Sequence, residues 1–161
     1  MTIAIGSPLP DVALRVVTPD GVTETTTAEL FGGKRAVMFA VPGAFTPTCH
    51  NSHLPGFLFN ADNFKAKGVD FIACTAVNDP FVMRAWASAT GAETNITFLA
   101  DGSADLAKAL GLELDASAAG LGLRSKRYSM LVENGVVKAL NVEADASKAE
   151  TSNAETLLAS L

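Results

Sequence analysis

A continuous apolar run, Ala36-Val37-Met38-Phe39-Ala40-Val41, stops at Pro42-Gly43, and a helix start follows at once. A strand with one wet face would alternate, so this unbroken run reads as a central strand covered on both faces. The helix start is Thr46-Pro47-Thr48-Cys49: a threonine suited to the N-cap, then proline at the first helical position, where its missing N–H costs nothing. A buried strand feeding a helix implies a layered α/β arrangement, and the count places Cys49 at the third helical position.

The rest of the chain extends this pattern. Val12 to Val17 and Val22 to Thr27 flank Thr18-Pro19-Asp20-Gly21 and read as a hairpin. Pro55 lies too deep to be another first-turn residue, so the helix is expected to kink there before running through Phe64 to Gly68. Val69 to Val77 reads as a second buried strand, and Asp79-Pro80 repeats the cap-plus-proline signal before a helix through Trp86. A strand over Ile96 to Ala100, a helix over Ser103 to Leu110 closed by Gly111, and a Gly- and Ala-rich loop over Ala116 to Gly122 follow. Tyr128 to Val132 turns back through Asn134-Gly135, a type I′ signal, into Val136 to Val142, and a last helix begins at Ser152 or Asn153. The order ββ, β-α-β-α-β-α, ββ-α predicts a three-layer α/β domain with a central mixed sheet flanked by helices, of thioredoxin-like type. At 161 residues and 48% hydrophobic, residues 1–161 are expected to form one domain.

Charge and composition exclude several functions. The formal charge of −5, with both signs interspersed, leaves no basic stripe for a phosphate backbone, so no nucleic-acid partner is expected. No run approaches the roughly 20 apolar residues of a membrane span, and Met1 to Pro10 lacks a basic segment leading into an apolar one. The expectation is a soluble, untargeted protein of a reducing cytoplasm, because two cysteines are too few for a disulfide scaffold. Without a secretory signal, the acceptor-like Asn95-Ile96-Thr97 is read as chance. Trp86 and the Met and Phe residues at helical spacing are read as core or dimer contact.

The two cysteines differ in setting. Cysteine reacts as its thiolate, and orphan N–H groups in the first turn of a helix favour that anion, so Cys49 reads as a reactive thiol. Cys74 lies in Phe71-Ile72-Ala73-Cys74-Thr75-Ala76-Val77, a core strand, and reads as packing. Disulfide exchange of the thioredoxin kind needs a second cysteine after two residues, but His50-Asn51-Ser52 follows Cys49. A cysteine phosphatase would place arginine where Pro55 stands. Among Cys49, His50, His53 and Cys74 only Cys49 and His53 share a helix face, so no metal is expected and both histidines are assigned to the surface or a subunit contact. Gly120-Leu121-Gly122-Leu123-Arg124-Ser125 lacks the third glycine of a dinucleotide loop and precedes a strand, so no cofactor is implied.

Val41-Pro42-Gly43-Ala44-Phe45-Thr46-Pro47-Thr48-Cys49 resembles the active-site signature of peroxiredoxins: Pro, three residues, Thr, two residues, Cys. The resemblance runs nearly end to end. His53-Leu54-Pro55-Gly56-Phe57, Val77-Asn78-Asp79, Lys126-Arg127-Tyr128-Ser129-Met130 and Lys138-Ala139-Leu140-Asn141-Val142 look like the peroxiredoxin-five subfamily, which includes plant type II and many bacterial members. The resemblance implies a thioredoxin-like fold, Cys49 as peroxidatic cysteine, Thr46 as the signature threonine and a homodimer with Phe45 and Phe81 at the contact. It also implies a catalytic arginine directly before an aromatic-Ser-Met run, which selects Arg127 over Arg124.

The implied reaction is thiolate attack on one peroxide oxygen, with charge developing on the departing oxygen. Arg127 supplies fixed donors, Thr46 a hydroxyl, and backbone near Gly43 and Cys49 completes the pocket, while Pro42 shapes the loop and keeps water out. The sulfenic acid product must condense with another thiol. The mammalian form has a resolving cysteine after the Asn-Val-Glu run, whereas Asn141 to Leu161 here contains none and Thr151 stands near that place. Cys74 in its strand is not expected to reach the roughly 4 Å Cβ separation of a disulfide. The expectation is therefore a one-cysteine cycle recycled by glutathione, a glutaredoxin or a thioredoxin. A peroxide-sensing or chaperone-like binding protein using Cys49 oxidation is the alternative.

Overall fold

In a computed structural model describing residues 1–161, β1 (Ala13–Thr18) and β2 (Gly21–Thr26) form the expected hairpin. β3 (Arg35–Ala40), β4 (Phe71–Ala76) and β5 (Thr97–Ala100) run parallel at the centre, in register from Ala36 opposite Phe71 to Ala40 opposite Thr75 and from Ala73 opposite Thr97 to Ala76 opposite Ala100. β8 (Tyr128–Glu133) joins β3 antiparallel, and β9 (Val136–Val142) closes that edge. The seven-stranded order is β2-β1-β5-β4-β3-β8-β9, a mixed sheet. Asn134 (φ 48°) and Gly135 (φ 76°) make the β8–β9 turn, whose left-handed backbone matches the Asn-Gly signal.

Because β3, β4 and β5 are buried on both faces, their side chains feed two cores. Val37, Phe39, Cys74 and Ala76 pack with Cys49, Phe57, Phe64, Trp86 and Leu157, beneath α2 (Leu54–Phe59), α3 (Ala61–Ala66), α4 (Pro80–Thr90) and α6 (Ala154–Ala159). Ala36, Met38, Ala40 and Ala73 pack with Phe31, Leu106, Leu110 and Tyr128, beneath α1 (Thr27–Phe31) and α5 (Asp105–Leu110). These are the three layers that the alternation of elements predicts. No helix is long and apolar enough to cross a membrane.

The capping signals act locally as their chemistry requires. The Asp79 carboxylate accepts from Val82 N at 2.9 Å and Gly91 ends α4 at φ 65°; the Asn153 side chain accepts from Thr156 N at 2.8 Å to start α6. Gly111 ends α5 at φ 66°, and a Cβ there would lie 2.2 Å from the Met1 carbonyl oxygen, because the N-terminal strap crosses it.

Three local features differ from the sequence reading. The Thr-rich run ends in α1, capped by the Thr26 hydroxyl accepting from Glu29 N at 3.2 Å, because Phe31 must reach the core. A helix of five residues is too short to show a period. The loop Ala116 to Gly122 stands, with a 3₁₀ turn at Ser117–Ala119, but two short strands that the sequence does not announce flank it: β6 (Glu113–Asp115) pairs antiparallel with β7 (Leu123–Ser125) to make an arm. Finally, the kink expected at Pro55 is a π-helical segment, Cys49–His53, lying just before it. Pro55 has no N–H for the helical ladder, and the ladder shifts register ahead of it, with Leu54 N donating to Cys49 O.

Candidate active site

The β3-to-helix connection delivers Cys49 to the floor of the domain's apolar interior, with no exposed surface of its own. Thr46 occupies the position before the first helical residue, and its carbonyl accepts from His50 N at 2.9 Å. Its hydroxyl does not cap the helix as expected. It lies 2.7 Å from Gly43 O and 2.9 Å from Cys49 Sγ, turned from the backbone N–H groups to the sulfur. Ala44 N donates to the Asn78 side chain at 2.9 Å, which ties the loop to the segment before α4.

The second donor comes from across the sheet. Arg127, immediately before β8, is 2% exposed and places Nη2 3.0 Å from Cys49 Sγ. Its remaining contacts are Nε to Ala146 O at 3.0 Å and Nη1 to His53 Nδ1 at 3.1 Å. Arg124 does not reach the sulfur. It donates through Nε to Leu121 O at 2.9 Å and through Nη1 to Pro42 O at 3.3 Å. A Cβ on Gly43 would stand 2.9 Å from that Arg124 Nη1, so glycine lets the guanidinium lie against the loop. Pro42 and Gly43 are buried, and Pro42 lines the cleft beside Thr46.

A cleft of about 390 Å³ is lined by Thr46 and Arg127, the two residues hydrogen-bonded to the sulfur, together with Pro42 and with Leu114, Ala119 and Leu121 of the β6–β7 arm. The cleft therefore borders both residues that hydrogen-bond the Cys49 sulfur.

His53 departs from the sequence reading. Its position in the sequence predicts the surface or a subunit contact, but it is 2% exposed, with Nε2 2.9 Å from Ser152 O. Burial, with the Arg127 charge adding to it, lowers its pKa to about 4, so the imidazole is neutral at pH 7. His50 instead accepts from the single tryptophan, Trp86 Nε1, at 3.1 Å, and Phe45 stacks on its ring with centroids 5.9 Å apart. Cys74 lies in β4 as expected, fully buried, and burial pushes its thiol well up, with Cys49 adding to the effect.

One residue of this neighbourhood, Glu143, has no sequence signal. Glu143 Oε1 accepts from Thr151 N and Ser152 N, each at 2.7 Å, and from Ser152 Oγ at 2.9 Å. In the sequence Glu143 is only a charge after a strand, and nothing in its spacing from His53 marks a contact.

The redoxin family model matches residues 4–158. The chloroplastic peroxiredoxin-2E-2 of Oryza sativa subsp. japonica is 52% identical over 165 residues, covering 99% of this chain and 73% of that protein. Among solved structures, reduced Prx3 from Vibrio vulnificus in complex with hydrogen peroxide superposes with a TM-score of 0.93 at 55% identity, covering 99% of both chains. Peroxiredoxin 5 from Alvinella pompejana superposes with a TM-score of 0.85 at 36% identity, covering 98% of this chain and 97% of that one. These likenesses fall on the plant type II and peroxiredoxin-five side of the family, as the sequence motifs imply. With the thioredoxin-like fold, the family model and the relatives in agreement, the chain belongs to the redoxin family as a peroxiredoxin, an oxidoreductase that reduces peroxides at the expense of thiols.

Proposed function

We propose that Cys49 is the peroxidatic thiol, that Thr46 and Arg127 are the catalytic residues acting on the peroxide beside it, and that Pro42 and Gly43 form the pocket wall. The observation that carries this reading is the pair of donors on one sulfur, Thr46 Oγ1 at 2.9 Å and Arg127 Nη2 at 3.0 Å. The Cys49 thiolate attacks one oxygen of a hydroperoxide, the S–O bond forms as the O–O bond breaks, and the electron pair leaves on the distal oxygen. That oxygen takes a proton and departs as water from hydrogen peroxide or as an alcohol from an organic hydroperoxide. Sulfur is oxidised to the sulfenic acid, and the peroxide is reduced. Fixed donors from Arg127 and Thr46 stabilise the developing oxyanion without reorganising.

The recycling step uses thiols from outside the chain. One thiol condenses with the sulfenic acid, releasing water and forming a mixed disulfide, and a second thiol resolves that disulfide and returns Cys49. Cys74 is unsuited to this step, since it is fully buried within β4 and burial disfavours its thiolate. Glutathione, a glutaredoxin or a thioredoxin is the reductant. Two free, buried cysteines suit a reducing compartment, the cytoplasm. Residues 1–161 act as one domain, and exposed Phe45 (49%) and Phe81 (79%) form the contact of a homodimer.

One equivalent of hydrogen peroxide added to reduced protein with a sulfenic-acid trap tests the core of this reading. Peptide mass spectrometry should find the trapped sulfur at Cys49 in the wild type and in Cys74→Ser. A Cys49–Cys74 disulfide would overturn the one-cysteine cycle, and an unmodified Cys49 would remove the assignment of the peroxidatic thiol. Sedimentation of Phe81→Glu beside the wild type reads the dimer contact, which is wrong if both sediment alike.

A further inference from the structure

We propose that His53 is a positioning residue: it sets the Arg127 guanidinium on the Cys49 sulfur without neutralising its charge, and Glu143 acts one step behind by fixing the carbonyl that orients the imidazole. The proposal rests on the peroxidase reading of Cys49.

Arginine has donors only, so His53 Nδ1, at 3.1 Å from Arg127 Nη1, must be an acceptor. The ring proton then resides on Nε2, where the Ser152 carbonyl at 2.9 Å accepts it. Both partners demand the same neutral tautomer. The tautomer follows from the partners on either side of the ring. Phe39 and Phe57 pack against the imidazole with ring centroids at 5.1 and 5.5 Å, which restricts its tilt.

The guanidinium is thereby held at three points, by Ala146 O, by His53 Nδ1 and by the sulfur. None of the three protein acceptors is a carboxylate: the ion pairs of the chain are Arg15–Glu24 and Arg35–Glu133. This matters because a carboxylate at the Nδ1 position would place a negative charge beside the fork and weaken its field at the sulfur. A neutral acceptor fixes the same geometry and leaves the field intact. The nearby carboxylate, Glu143, is instead engaged with Thr151 N, Ser152 N and Ser152 Oγ. Glu143 N also donates to Arg127 O at 2.9 Å. The path Arg127, His53, Ser152, Glu143 thus returns to the backbone of the arginine it began from.

The test compares His53→Leu with His53→Asn, since an Asn carbonyl oxygen can stand where Nδ1 accepts and Leu offers nothing. Reaction with hydrogen peroxide is followed by stopped-flow fluorescence, and alkylation of Cys49 by iodoacetamide at pH 7 is measured separately, without peroxide. We expect His53→Leu to slow the peroxide reaction about 10- to 100-fold, the scale of one lost charge-assisted contact, and to slow alkylation as well, while His53→Asn restores most of both rates. Wild-type rates in His53→Leu, or equal losses in the two variants, would overturn the proposal. Should His53→Leu fail to fold, Glu143→Ala against Glu143→Gln poses the same contrast one step back, because Gln keeps an oxygen for the Ser152 donors. Equal rates in that pair would overturn it too. Failure of the wild type itself to react with peroxide would remove the reading of Cys49 as peroxidatic, whereas the alkylation contrast would still report on the positioning of Arg127.

Discussion

Thr46→Val removes one hydroxyl and keeps the shape of the side chain, so it isolates the work of a single proton. The hydroxyl lies 2.7 Å from Gly43 O and 2.9 Å from Cys49 Sγ, but it has one proton to donate. While Cys49 carries its own proton, the hydroxyl can donate to Gly43 and accept from the thiol. Once sulfur is the anion, the hydroxyl is drawn to donate to it, and in the transition state it can follow the charge to the peroxide oxygen. A hydrogen bond to a charged group is worth about 1.5–3 kcal/mol, so valine should slow the peroxide reaction by roughly 10- to 150-fold. The bond to Gly43 O is neutral and contributes only about 1 kcal/mol of stability. Trp86 gives the assay its signal, since its indole donates to His50, the neighbour of Cys49 in sequence. Stopped-flow fluorescence of reduced protein against hydrogen peroxide gives the rate, and urea unfolding gives the stability. Thr46→Ser should retain most of the rate. A valine variant reacting within threefold of the wild type, or a serine variant as slow as valine, would refute the single-proton argument.

Arg127→Ala should lower the peroxide rate about 10²–10³-fold, as loss of an oxyanion donor does, while Arg124→Ala, which frees only the Pro42 and Leu121 carbonyls, should lose less than about tenfold. Stopped-flow rates for the pair decide between them, and full activity in Arg127→Ala would move the role to Arg124. Cys74→Ser should turn over normally with an external thiol reductant; loss of turnover in a folded variant would show that Cys74 takes part in recycling. His53 should also leave a mark on acid stability. Its pKa falls from 6.5 to about 4 on folding, so the unfolded chain takes up that proton first as the pH drops. Stability present above pH 6.5 should therefore be lost between pH 6.5 and 4, by about 3 kcal/mol. Asp101, whose carboxyl burial raises, opposes this trend, so the quantity to measure is the wild-type minus His53→Asn difference in urea unfolding across that range; a flat difference would refute the linkage.

The parts of the fold that could be read from the sequence are those in which one local force decides. Ala36 to Val41 is apolar on every side chain, and Asp79-Pro80, Gly111 and Asn134-Gly135 each answer a backbone need within a few residues. The β6–β7 arm was hidden because Ala116 to Gly122 has no period, and its pairing depends on Lys126 N reaching Leu112 O at 2.7 Å across the intervening chain. The site divides in the same way. Cys49 and Thr46 lie three residues apart and reveal themselves by spacing, and the residues following Arg127 distinguish it from Arg124. His53 reads as a surface histidine because a polar residue at the end of a helical turn usually is one. Its burial is decided by Ser152, 99 residues away in the chain, through a carbonyl that no side-chain pattern can announce.

The β6–β7 arm contributes Leu114, Ala119 and Leu121 to the cleft that Thr46 and Arg127 also line, yet the donors on the Cys49 sulfur come from elsewhere, Thr46 from the helix start and Arg127 from the edge of β8. The donors of the proposed chemistry and the apolar lining of the cleft thus sit on separable pieces of chain. Changes in the length of the arm, or in the bulk of its apolar side chains, can widen or narrow the mouth for different alkyl groups while the donors on sulfur stay in register. A lineage built on this plan can retune what it admits by editing a short surface hairpin, leaving the buried machinery under separate selection.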